Sequence, residues 1–123
     1  MIIGLHHAQI TIPKGSETEA REFYCELLGL KEIEKPDALK GRGGFWLKLG
    51  DIELHVGAED DVERSRTKAH IAYQVEDISH WRKLLETNKI EVFESVRIPN
   101  YERFECRDPF ENRLELIQRI ESI

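Results

Sequence analysis

Histidine and glutamate recur along this 123-residue chain at nearly one interval: His7 and His70 are 63 residues apart, Glu53 and Glu115 62 apart. Each His sits in a strand-like run, His7-Ala8-Gln9-Ile10-Thr11-Ile12 and His70-Ile71-Ala72-Tyr73-Gln74-Val75. Each Glu sits in another, Ile52-Glu53-Leu54-His55-Val56 and Leu114-Glu115-Leu116-Ile117. Two copies of a half-domain, related by a pseudo-twofold axis, would bring two imidazoles and two carboxylates together. That donor set suits a divalent metal and leaves positions open for substrate.

The elements that must position these residues repeat as well. Residues 5–12 alternate as a strand, and Pro13-Lys14-Gly15 forms a turn. Ser16-Glu17-Thr18-Glu19 has the form of a capping box, which predicts a helix from Ser16 to Leu28 with Phe23, Leu27 and Leu28 inward and Gly29 at its C-terminus. Residues 30–34 read as a short strand and 36–44 as a loop. Residues 45–49 and 52–56 read as a hairpin across Gly50-Asp51. Residues 58–68 lack periodicity and read as a linker. The second half predicts a strand at 69–75, then a helix capped by Asp77 and running to about Thr87, with Trp81, Leu84 and Leu85 inward. A strand at 90–93 follows, then a hairpin of 103–106 and 113–118. The expected fold is α+β: two βαβββ modules, about 1–57 and 66–120, forming a cupped mixed sheet in one domain, since neither half could bury its sheet face alone.

On all four strands the His or Glu lies opposite the apolar stripe: His7 against Ala8, Ile10 and Ile12; Glu53 and His55 against Ile52, Leu54 and Val56; His70 against Ile71, Tyr73 and Val75; Glu115 against Leu114 and Leu116. An ordinary antiparallel sheet with one solvated face would show this alternation too. Recurrence of the same residue types in both halves is what points to a metal.

Composition narrows the partners. Net charge is −6, with 24 acidic and 18 basic residues. No basic stripe marks a nucleic-acid or anionic-membrane surface. No apolar run is long enough to span a bilayer, and nothing at the N-terminus reads as an export signal. Cys25 and Cys106 lie far apart and outside any C-x-x-C motif, which points to free thiols in a reducing cytoplasm. A small molecule is the expected partner.

The chain resembles the vicinal oxygen chelate superfamily, which includes glyoxalases, bleomycin-resistance proteins and dioxygenases. The resemblance rests on Leu5-His6-His7-Ala8-Gln9-Ile10-Thr11-Ile12, on Phe23-Tyr24 followed by Leu27-Leu28-Gly29-Leu30, and on Ala69-His70-Ile71-Ala72-Tyr73-Gln74-Val75. It closes on Asp108-Pro109-Phe110-Glu111-Asn112-Arg113-Leu114-Glu115-Leu116. In that last motif Glu111 replaces the usual Gly, so a different turn is expected, since Gly takes positive φ at little cost. The resemblance implies His7, His70 and Glu115 as ligands shared by metal-binding members, and Glu53 as the fourth ligand of bacterial glyoxalase I. Ni, Co, Zn or Mn, rather than Fe, suits this set. It further implies stabilisation of an enediolate by the metal, Glu115 as the base, and a homodimer whose sites draw ligands from both chains.

Departures from the pattern limit the reaction. Glyoxalase I has an Arg four residues after its first ligand and an Asn four residues after its first Glu; here these are Thr11 and Gly57. A glutathione adduct is therefore not clearly the substrate. The leading expectation is a metal-dependent lyase or isomerase acting on a small oxygenated metabolite. The alternatives are an antibiotic-modifying thiol transferase, an Fe(II) dioxygenase and a non-catalytic drug-binding resistance protein. Thiol transferases of this family lack a ligand at the Glu53 position and carry Thr where this chain has Gln9.

Gln9, Trp46, His55 and Arg103 are the expected substrate contacts. His55 could equally be an alternative ligand or a donor that steadies Glu53; Arg103 could instead pair with Glu102 or Glu105. His6 reads as structural, and Lys35, Lys40 and Arg42 as a solvated loop.

Overall fold

Strand β1 (His7–Ile12) runs parallel to β4 (Ile52–Ala58), with His7 directly opposite Glu53 and Gln9 opposite His55. In the computed structural model, which describes residues 1–120, these strands belong to the first of two compact units, residues 1–62. Between them come helix α1 (Glu17–Arg21), β2 (Lys31–Ile33) and β3 (Phe45–Leu49). The sheet order is β1-β4-β3-β2. β3 and β4 form the expected hairpin, with Leu49 opposite Ile52 across Gly50-Asp51. Ile12, Ala20, Phe23, Tyr24, Phe45, Leu47, Leu54 and Val56 are the buried apolar residues of this unit.

The first helix departs from the capping-box reading. Ser16 makes no cap bond; its hydroxyl donates to the Pro13 carbonyl at 2.5 Å. Glu17 reaches across instead and accepts the Gly44 N–H at 3.0 Å, tying the helix start to the entry of β3. After Arg21 the helix widens into a π turn over Glu22–Leu27. The wider turn carries Tyr24 fully inside while Leu27 and Leu28 remain half-buried. Gly29 ends it as expected, at φ +79°, a conformation that Gly adopts at least cost.

The second unit, from residue 63 onward, repeats the order: β5 (His70–Gln74), α2 (Ile78–Thr87), β6 (Phe93–Glu94), β7 (Tyr101–Arg107) and β8 (Arg113–Arg119). Its sheet is β5-β8-β7-β6, with β5 and β8 parallel. Asp77 caps α2 as expected, accepting the His80 N–H at 3.2 Å. Leu85 is buried, Trp81 and Leu84 are half-buried, and Ile78 adds a buried contact. β6 is shorter and later than the expected strand at 90–93.

One contact recurs in both units. The Arg21 guanidinium lies 4.6 Å over the Phe45 ring and pairs with Glu32; Arg82 lies 4.9 Å over Phe104 and pairs with Glu94. In each, a helix cation covers a core aromatic of the third strand and is held by a carboxylate on or beside the second. With the matching element order, this marks two α+β modules of one design.

The turn that replaces the usual Gly keeps a glycine-like backbone. Glu111 sits at φ +77°, and the buried Asp108 carboxylate accepts the Phe110 and Asn112 N–H groups at 2.9 and 2.8 Å. Among the described residues no helix is long and apolar enough to cross a membrane.

Candidate functional site

Each unit gathers ionisable side chains on the polar face of its own sheet. In the first unit the His55 ring is nearly fully buried between two other rings: Trp46 on one side, centroids 3.9 Å apart at 2°, and His7 on the other, 4.0 Å at 14°. The stack follows from register, since Trp46 and Gln9 flank His55 on the neighbouring strands and His7 lies two residues before Gln9. His55 Nε2 is 2.9 Å from Glu53 Oε1. A carboxylate only accepts, so Nε2 carries the proton and Nδ1 keeps a lone pair. This bond holds the Glu53 carboxyl below its usual pKa. His6 Nδ1 lies 3.0 Å from His7 Nδ1, so one proton is shared between those two rings.

In the second unit His70 Nδ1 is 2.9 Å from the Lys68 carbonyl, and a carbonyl can only accept. Nδ1 is therefore protonated and Nε2 is turned to Glu115 Oε1 at 3.2 Å. Arg103 Nη1 also reaches Glu115 Oε1, at 3.3 Å, and the same guanidinium donates to the Val96 carbonyl. Arg103 is thus bound to Glu115 rather than to Glu102 or Glu105. Glu105 is taken by Arg113, whose guanidinium holds that carboxyl below its usual range.

Strand register relates the two halves differently from residue counting. Opposite His70 stands Arg113, and Glu115 lies two residues further along β8, opposite Ala72. In the first unit the residue two beyond the partner of His7 is His55, not Glu53. The contacts agree: His7 lies against His55 as His70 lies against Glu115.

A divalent metal fits this donor chemistry in part. His70 shows the arrangement of a metal-binding imidazole, with Nδ1–H given to a backbone carbonyl and Nε2 aimed at a carboxylate. His55 shows the mirror case, with Nε2–H given to Glu53 and Nδ1 left as donor. Imidazole and carboxylate donors of this kind bind first-row divalent ions once the ring nitrogens that face the ion are deprotonated. Among the described residues no three His, Cys, Asp or Glu side chains already converge on one ion. The His7 and His55 planes run nearly parallel, so His7, whose side chain is exposed, must turn for both to face one ion.

The first unit also holds a cleft of about 480 Å³. Gln9, Trp46 and His55, expected to contact substrate, all line it, together with His6 and His7. The Gln9 amide covers Gly57, where an added Cβ would come within 3.0 Å of its Nε2. Arg103 lies in the other unit, beside Glu115. Lys35 and Arg42, read from sequence as solvated loop, line the cleft; their spacing carried no periodic signal that would have placed them there. Burial raises the Cys25 thiol and pushes Cys106 up to about 12, so neither is a ready thiolate.

With this fold and this geometry in view, comparison with known proteins identifies the family. The chain belongs to the Glyoxalase/Bleomycin resistance protein/Dioxygenase superfamily, whose family model matches residues 4–116. It is 40% identical to a glyoxalase family protein from Bacillus anthracis, over 97% of both chains with a TM-score of 0.90. It shares its fold with the genomically encoded fosfomycin resistance protein FosX from Listeria monocytogenes, at 18% identity, 96% and 94% coverage and a TM-score of 0.76. The same holds for lactoylglutathione lyase from Agrobacterium tumefaciens, at 20%, 94% and 92%, and 0.72. No curated protein matches the chain.

Proposed function

We propose that this protein is a divalent-metal-dependent lyase or isomerase of the glyoxalase type, acting on a small oxygenated metabolite as a homodimer. The observation that carries the reading is the repeated pairing of a first-strand His with a group two residues beyond its partner: His7 with His55, and His70 with Glu115. His7, His70 and Glu115 are three donors. The fourth comes from the Glu53–His55 pair. Register favours His55, with Glu53 as the carboxylate that orients it. A carboxylate behind a metal-binding imidazole fixes its tautomer and raises its basicity.

His7, His70, Glu115 and the Glu53–His55 pair would hold a divalent ion, which would supply Lewis-acid polarisation of substrate oxygens. The residues of the chain do the rest. Glu115, buried and touched by Arg103 and His70 through Oε1, is the group placed to move a proton with its other oxygen. Trp46 and Gln9 shape the cleft floor. Ni, Co, Zn or Mn suits the donors.

Proteins that share this fold include a fosfomycin resistance protein and a lactoylglutathione lyase. Thr11 and Gly57 stand where glutathione anchors are expected, so the substrate is one that does not depend on those anchors. The test is turnover of methylglyoxal and its thiol adducts by metal-loaded protein, beside Glu115→Gln. Activity lost in Glu115→Gln, with metal retained, supports the proton-transfer role; equal turnover by both proteins contradicts it.

A further inference from the structure

The lining of the first unit's cleft holds two fixed positive charges, Lys35 and Arg42, and no carboxylate, in a negatively charged protein. The chain has 24 acidic and 18 basic residues. Yet every ionisable group lining the cleft is a His, Lys or Arg: His6, His7, Lys35, Arg42 and His55. Walls of one sign concentrate an oppositely charged ligand.

Local pairing explains how the charge remains available. The loop before β3 carries Glu34, Asp37 and Lys40, and Lys40 Nζ binds both carboxylates, at 2.7 and 2.9 Å. The acids of the loop are thereby turned to Lys40. Lys35 Nζ donates to the Gly43 carbonyl at 2.7 Å, which fixes its ammonium at the loop end, and it has no ion-pair partner among the described residues. Arg42 has no hydrogen-bond or ion-pair partner among the described residues. An unpaired guanidinium at the rim presents a fork that matches a carboxylate or phosphate.

We infer that the cleft takes a small ligand bearing one oxyanion, seated by Arg42 and Lys35, with its uncharged portion over Trp46 and Leu39. At about 480 Å³ the cleft has the volume of a small-molecule site. The inference deepens the proposed function by giving its substrate class, but the anion preference needs no metal.

Three probes of one skeleton test it: glycerol, glycerate and glycerol 3-phosphate, titrated calorimetrically at low ionic strength into chelator-treated and metal-loaded protein. The expected result is that at least one anion binds the chelator-treated protein about tenfold or more tighter than glycerol, and that Arg42→Gln removes about tenfold of that affinity with metal content unchanged. The tighter anion tells a carboxylate from a phosphate. Lys83→Gln, an equal charge change on the exposed face of α2, leaves binding as it was. Lys35→Met, a second variant, weakens the anions and not glycerol. Equal binding of all three probes, no binding of any, or the same loss in Arg42→Gln and Lys83→Gln overturns the inference. Retained anion preference in a His70→Ala protein that has lost its metal leaves this inference standing and separates it from the metal reading.

Discussion

His55 gives its Nε2 proton to Glu53 across 2.9 Å while its ring is held between Trp46 and His7. A carboxylate at the edge of a buried imidazole and a second imidazole on its face therefore meet on a single unit. Register makes His55, and not Glu53, the counterpart of Glu115.

Removing the two members of this pair should have unequal effects. His55→Ala removes a donor and is expected to abolish tight metal binding. Glu53→Ala leaves the ring in place and is expected to weaken affinity by about 10- to 100-fold, the usual cost of losing a carboxylate behind a ligand. Metal affinity by competition with a chromophoric chelator reads both. The reverse order would move the ligand to Glu53.

Glu111 holds a backbone conformation that disfavours side chains, at φ +77°. Glu111→Gly is expected to stabilise the protein by about 0.5–1 kcal/mol, because relief of strain outweighs the added freedom of the unfolded chain. Urea unfolding measures this, and an unchanged or lower midpoint would show that the Asp108 turn holds Glu111 without strain.

Gly44 is the opposite case. A Cβ there would lie 2.1 Å from the Val56 carbonyl oxygen, at φ +74°. Gly44→Ala must push β3 and β4 apart and disturb the Glu17 bond, and a loss of roughly 2 kcal/mol or more is expected in the same assay.

Glu105 gives a pH-dependent contribution. Its carboxyl is held below the ordinary value of 4.5, first by the hydrogen bond from Arg113. A lowered folded pKa contributes stability that is fully present above 4.5 and is lost as pH falls through the folded value. Glu105→Gln should therefore cost about 1 kcal/mol at pH 7, and the difference from wild type should shrink as the pH is taken below 4.5. A pH-independent difference would mean that packing, rather than charge, sets the cost.

Much of this architecture was legible in the residues. Strand alternation placed His7, Glu53, His70 and Glu115 on polar faces, and Asp77 signalled its helix because a cap bond depends on three adjacent residues. The Ser16 box misled because the Ser16 hydroxyl bonds back to the Pro13 carbonyl instead of the helix, while Glu17, not one of the two bonding positions of the box, makes the tertiary bond to Gly44. The π turn was hidden because it changes hydrogen-bond spacing without changing composition. Register between distant strands was also out of reach. The near-equal intervals of 63 and 62 suggested that Glu53 matches Glu115, but His7 lies 46 residues before its β4 partner Glu53 and His70 only 43 before its β8 partner Arg113, so the two halves differ in length between their first and last strands. Arg103 found Glu115 two strand positions away rather than its sequence neighbours, which alternation alone does not distinguish.

On the proposed function, the His-based pairs of the two modules bind a divalent ion. Elemental analysis of protein purified without chelators or a metal-binding tag tests it most directly, alongside His70→Ala and Glu115→Ala. Near-stoichiometric Ni, Co, Zn or Mn is expected in the wild type, with its loss from both variants. Wild-type protein that carries no metal and takes none up on titration would contradict it.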